Sequence, residues 1–156
     1  MKKYYIALLL LMLLNLIPQK TTLTQIAKEQ GVGEYSFVVS GEYEGSEFDR
    51  IQKNGNITIL TCPAYQAAQK KEDVKGEILG ESFCFLGVES DADALIQKLQ
   101  AKVVRKSTVD DITIYYLWSG SLNSESIELF SQKVNMQIAV TKGRIEVGVP
   151  VLLGSY

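Results

Sequence analysis

The chain has 156 residues, enough for one compact domain whose core closes without obligatory metals or staples. Its 16 basic and 18 acidic residues give a net charge of −2, and setting aside the two charges of Lys2 and Lys3 makes it −4, a poor starting point for a nucleic-acid binder, whose affinity rests on neutralising phosphates. The sequence has no histidine, which excludes a Ser-His-Asp or Cys-His nucleophile system and any His-ligated metal.

The first segment is Lys2 and Lys3, then an apolar run from Tyr4 to Ile17 broken only by Asn15 and stopped by Pro18. The run suits the core of a signal peptide and falls short of the ~20 residues that span hydrocarbon. No small-x-small cleavage site follows it. Residues 1–20 are therefore expected to be either a signal peptide or an uncleaved N-terminal membrane anchor. The two lysines favour an N-in orientation, which places the rest of the chain outside the cytoplasm.

Residues 21–30 predict a short helix ended by Gly31 and Gly33. A strand follows, with Tyr35, Phe37 and Val39 on one face. Residues 44–55 are polar and close on Asn54-Gly55, a turn signal. Residues 56–62 are a β-branched strand ended by Pro63, and 67–76 a charged loop or loose helix. Residues 81–89 read as another strand. Ser90 and Asp93 then have the spacing of a capping box, and Leu95, Ile96, Leu99 and Val103 predict a helix over about 91–105. Residues 112–118 are a strand rich in aromatic and β-branched side chains. Residues 122–134 predict a short helix with Ile127, Phe130 and Val134 on one face.

The final segment alternates on both sides of Lys142-Gly143. Met136, Ile138 and Val140 precede the turn, and Ile145, Val147 and Val149 follow it. This predicts an antiparallel hairpin with one face on helices and the other open to solvent. Pairing should weaken at Pro150. The whole is an α+β fold in one domain, residues 21–156. About six strands, mainly antiparallel, carry two or three helices on one face.

Few residues suggest chemistry. Outside the cytoplasm Cys62 and Cys84 could form a disulfide closing a loop of about 22 residues; the other reading is two buried thiols in strands. Asp91 and Asp93 sit where negative charge suits a helix start, and Asp110 and Asp111 sit in a turn. Residues 42–49 are acidic but lack the order of a calcium loop. Lys98, Lys102, Arg105 and Lys106 form a basic stripe at helical spacing. Asn56-Ile57-Thr58 matches a glycosylation triplet, and no Ser-x-x-Lys accompanies the serines of 119–124. No catalytic residue, cofactor-binding residue, metal ligand or cofactor is assigned.

The C-terminal stretch "VNMQIAVTKGRIEVGVPVLLGSY" resembles the signature of the bacterial YwmB-like family: Asn-Leu-Gln-hydrophobic-Ala, a turn, Gly-Thr-Pro and a terminal Tyr. Asn135, Met136, Gln137, Ile138 and Ala139 match the first part, Gly148 and Pro150 the second, and Tyr156 the end. Val149 stands where the family has Thr. The unit from Ser82 to Trp118, with Phe85-Leu86-Gly87 before its helix, is also similar, so residues 80–156 carry the resemblance. It implies an exported or anchored envelope protein, mainly of Gram-positive bacteria. It also implies a curved antiparallel sheet built from two related β-α-β halves, the likeness behind the family's TATA-box-binding label. With the leader, it points to a non-catalytic binding or assembly module. Its partner would be an envelope protein or a cell-wall polymer, with membrane contact through the N-terminal segment and no nucleic acid. The alternatives are an envelope hydrolase using Asp110 or Asp111 and, last, a DNA-binding protein.

Overall fold

The structure is a computed structural model that describes residues 20–152. The apolar run at 4–17 and Tyr156 lie outside the described residues. Among the described residues no helix is long and apolar enough to cross a membrane.

Helix α1 (Leu23–Gln30) begins at Thr22, whose Oγ1 accepts from the Gln25 amide while Gln25 Oε1 accepts from the Thr22 amide, a reciprocal capping box. Gly31, at φ 77°, ends the helix as expected. Strands β1 (Glu34–Ser40), β2 (Arg50–Asn54) and β3 (Ile57–Pro63) follow, then a 3-10 turn at Ala64–Gln66 and helix α2 (Ala67–Asp73). Next come β4 (Ile78–Leu86), α3 (Glu89–Lys98), β5 (Lys102–Val109), β6 (Ile112–Trp118), the short strands β7 (Ile127–Leu129) and β8 (Gln132–Val134), and the final hairpin β9 (Met136–Thr141) and β10 (Arg144–Val149).

Eight strands form one wholly antiparallel sheet in the order β2-β3-β1-β4-β10-β9-β6-β5. Helix α2 connects β3 to β4 across β1, and α3 connects β4 to β5 across three strands. The C-terminal half is a meander from β5 to β6, β9 and β10, whereas β1 of the N-terminal half sits between β3 and β4. Tyr35, Phe37, Leu60, Phe83, Leu117, Met136, Ile138, Ile145 and Val147 pack one sheet face against Leu23 and Ile26 of α1, Ala67 of α2, and Ala92 and Leu95 of α3. The expected layering, helices on one face of an antiparallel sheet, is the observed one.

Several local expectations differ. Residues 44–55 contain a strand, since β2 pairs with β3 from Arg50↔Thr61 to Asn54↔Ile57. The turn is then Gly55-Asn56, one residue later than expected, with Gly55 at φ 60°. Helix α3 stops at Lys98 instead of running to 105. Gln100 adopts φ 48°, its amide donates to Gln97 O, and the Ala101 amide donates to Ile96 O at 2.9 Å. This is a Schellman stop without glycine, so Val103 belongs to β5. The helix start also shifts: Asp91 Oδ2 accepts from the Val88 amide at 2.9 Å, in place of the Ser90–Asp93 box. Finally, residues 122–134 form no helix. Phe130 and Ser131, at φ 55° and 57°, make the tight turn of the β7–β8 hairpin.

The hairpin β9–β10 forms in the expected register, yet its second face is not open. Leu152 crosses back over the sheet and packs with Ile114 and Ala139, flanked by Ile112 and Tyr116. The five residues Met136 to Val140 are consequently all buried.

Candidate functional site

The sheet face away from the helices, the outer face, is covered by Leu152 near β9 and open beyond β6. Register fixes what it displays there. Lys102 lies opposite Trp118 and Arg105 opposite Tyr116. Both pairs share a face only because a bulge at Val104 inserts one residue into β5. With regular alternation Lys102 and Arg105 would point to opposite sides. The bulge therefore sets two cations beside two rings.

The hairpin β7–β8 supplies the third ring. Phe130 stands edge-on to Tyr116, ring centres 5.0 Å apart, and the Arg105 guanidinium lies 4.4 Å over the Phe130 ring. Such stacking fixes the guanidinium plane and leaves its N–H edge available. Phe130 and Ser131 are both left-handed, a conformation that strains non-glycine residues by roughly 1–2 kcal/mol each. Trp118 is 40% exposed, and its ring rests against Gly120, whose added Cβ would lie 3.4 Å from it. Among the described residues no carboxylate forms an ion pair with Lys102 or Arg105.

The expected basic stripe therefore does not exist as a helix face. Lys98 is on α3, where it pairs with Glu29. Lys102 and Arg105 are on the outer face of β5. Lys106 faces the other side, over the Tyr115 ring and 2.9 Å from Glu89.

The cysteines do not come together. Both thiols are free. Cys62 on β3 pairs with Tyr35, whereas Cys84 on β4 pairs with Glu34, its chain neighbour. The two side chains thus leave opposite faces of the sheet with β1 between their strands, and a disulfide there would require rebuilding the sheet. Burial pushes the Cys62 thiol up to about 11 and raises that of Cys84, so both are poor nucleophiles at neutral pH.

The carboxylates singled out from sequence are scattered over turns, a helix start and ion pairs. Asp110 and Asp111 form the exposed β5–β6 turn, with Asp110 at φ 52°. Asp91 caps α3, and Asp93 is exposed on that helix. Within the acidic segment 42–49, Glu42 pairs with Lys53 and Glu47 accepts from Tyr43 Oη. Two carboxylates not singled out from sequence sit in small polar clusters. Glu81 accepts from Tyr35 Oη and Lys71 Nζ. Glu89 accepts from Tyr115 Oη at 2.6 Å and from Lys106 Nζ, which holds its carboxyl below the ordinary range. Each is a salt-bridged phenol–carboxylate pair; Glu81 lines a surface cavity with Glu125, and Glu89 lines another with Asp111. Among the described residues no group of three or more Cys, Asp or Glu could hold a metal ion. Asn56 of the glycosylation triplet is in the β2–β3 turn, and Thr58 is buried, its hydroxyl donating to Gly41 O.

The described residues that carry the C-terminal resemblance make packing and backbone contacts. Asn135 is buried. Its Nδ2 donates to Ser119 O at 2.8 Å and its Oδ1 accepts from the Ser119 amide at 2.9 Å, which ties the start of β9 to the end of β6. Ser119 Oγ in turn donates to Leu99 O at 2.5 Å. Gln137 Oε1 accepts from the Leu152 amide at 3.1 Å. Ala139 lies under Leu152, and a Cβ at Gly148 would come within 2.6 Å of that leucine. Pro150 starts the chain's return over the sheet, and β10 ends at Val149 as expected. Gln137, Ala139 and Gly148 thus meet the returning tail at Leu152 on the outer face.

Trp118, Tyr116 and Phe130 were not legible as a site. The alternation in "ITIYYLW" is a usable signal for the first two, since it places Tyr116 and Trp118 on one face. Nothing local brings Phe130 or Arg105 to them. Compared with family models, curated proteins and solved structures, the chain finds no match.

Proposed function

We propose that this chain is a non-catalytic module of the bacterial cell envelope, held at the membrane by its N-terminal apolar segment and facing outward. In this reading the outer sheet face binds another envelope protein or a wall polymer. The observation that carries it is the row of exposed Trp118, Phe130, Arg105 and Lys102 around half-buried Tyr116, built by a bulge and a strained turn. The apolar run at 4–17 and the resemblance to the YwmB-like family support the compartment.

A carboxylate-dependent hydrolase is less well supported, because Asp110 and Asp111 form an exposed turn and Glu81 and Glu89 are neutralised by their own neighbours. DNA binding has the least support, given the net charge of −2. The test is a reporter active only outside the cytoplasm, joined after Tyr156, together with fractionation of the untagged chain. The expected result is reporter activity and recovery with membranes. An inactive reporter, with the chain recovered in the soluble cytoplasmic fraction, ends the proposal.

A further inference from the structure

We infer that the Trp118–Arg105 row binds an anionic polysaccharide of uronate type, with a sugar ring stacked on Trp118 and ring carboxylates held by Lys102 and Arg105. The inference deepens the binding-module reading by naming the ligand chemistry, and rests on it for biological context alone.

Four observations carry it. First, charge is complementary to an anion. Lys102 and Arg105 lack carboxylate partners among the described residues, in a chain whose net charge is −2. Of the nearby cations, Lys98 and Lys106 are paired with Glu29 and Glu89. Second, Arg105 is preorganised. Its guanidinium is pinned over Phe130 at 4.4 Å, so a carboxylate meets a fixed fork. Third, Trp118 is a half-exposed ring backed by Gly120, and an indole face accepts the apolar C–H face of a pyranose. Fourth, the spacing suits a polymer. Trp118 and Tyr116 are two residues apart on one strand, about 7 Å, so a ring on Trp118 faces Lys102 and the next unit reaches Arg105.

A ligand with charge but no rings would not use Trp118. A single nucleic-acid strand would want several free ring faces along a basic groove, whereas Arg105 already covers Phe130. A neutral glycan would leave Lys102 and Arg105 unused.

The test uses the full chain in non-ionic detergent. Trp118 is the sole tryptophan of the sequence, so its fluorescence reports this surface directly. Polygalacturonate should quench or shift Trp118 emission saturably, weaken with added salt, and retard the chain in affinity electrophoresis. Pullulan, polyphosphate and oligo(dT) should each bind at least about tenfold more weakly. Arg105→Gln should weaken polygalacturonate binding about tenfold, and Trp118→Ala likewise by retardation. Lys53→Gln, on β2 at the opposite edge of the sheet, should leave it unchanged. Each variant is first required to unfold at the parent's temperature; because Arg105→Gln alters an exposed side chain, it decides the matter if Trp118→Ala does not fold. Binding with unchanged Trp118 emission overturns the inference. So does absence of binding, equal or tighter binding of polyphosphate, pullulan or oligo(dT), or insensitivity to Arg105→Gln. The assay is indifferent to location: its failure leaves an outward-facing module standing, and a cytoplasmic reporter result leaves the binding measurement standing.

Discussion

Tyr35 shows how one side chain joins two layers of this protein. Its ring is buried between sheet and helices, and its hydroxyl donates to Glu81 at the rim, where Lys71 completes the cluster. Burial, then the Glu81 charge, raises the phenol above its ordinary value near 10. The folded state therefore keeps a proton that the unfolded state loses. Stability from this group is complete below about pH 10 and declines as pH rises further. Urea midpoints should fall above pH 10, and Tyr35→Phe should flatten that decline while lowering neutral-pH stability by about 1–3 kcal/mol. The cysteines make a second prediction at this scale. On opposite sheet faces they should remain two free thiols after mild oxidation. In native protein Cys62 should resist a thiol reagent until urea unfolds the chain, as alkylation and mass spectrometry will read. A single intramolecular disulfide in folded monomer would contradict the strand order.

Among elements, the informative joints are those that break the expected periodicity. Leu95, Leu99 and Val103 have helical spacing, but Gln100 turns left-handed and converts the last of them to strand. Glycine is the usual sign of that stop, and glutamine hides it. Residues 127–134 fit a helical face as well as an alternating one, and the choice fell to the hairpin because Phe130 finds Tyr116 and Arg105 across the sheet. The left-handed turn stays strained. Ser131→Gly should raise stability by about 0.5–1 kcal/mol in thermal or urea unfolding. Asn135 works in the opposite direction. It satisfies both backbone groups of buried Ser119, so Asn135→Ala should cost about 2–4 kcal/mol in the same assay.

At the scale of the molecule, a sheet of eight strands ends in two edges, β2 and β5. An open edge is a template for unwanted pairing, and charge on it is the common remedy. Lys102, Arg105 and Lys106 place that charge on β5, so the binding row and the edge protection share residues. Replacing all three with Thr should produce concentration-dependent assembly by light scattering, even where the variant still folds; a monodisperse triple variant would remove the protective role. The layering was legible because it follows from local periodicity. Tyr35, Phe37 and Val39, and later Met136, Ile138 and Val140, alternate, and alternation is a property of the backbone pleat. The α1 caps were legible for the same reason, since Thr22 and Gly31 act within one turn of the helix. What the sequence determined alone was thus the α+β class, the register of the last hairpin and the absence of histidine chemistry. The tertiary structure decided the rest. It put the two cysteines on opposite faces, returned Leu152 over the hairpin, and through one bulged residue set Arg105 and Lys102 beside Trp118, Tyr116 and Phe130. Those outcomes depend on which strands become neighbours, and neighbours in space are chosen by the burial energy of the whole core, which no short stretch of sequence contains.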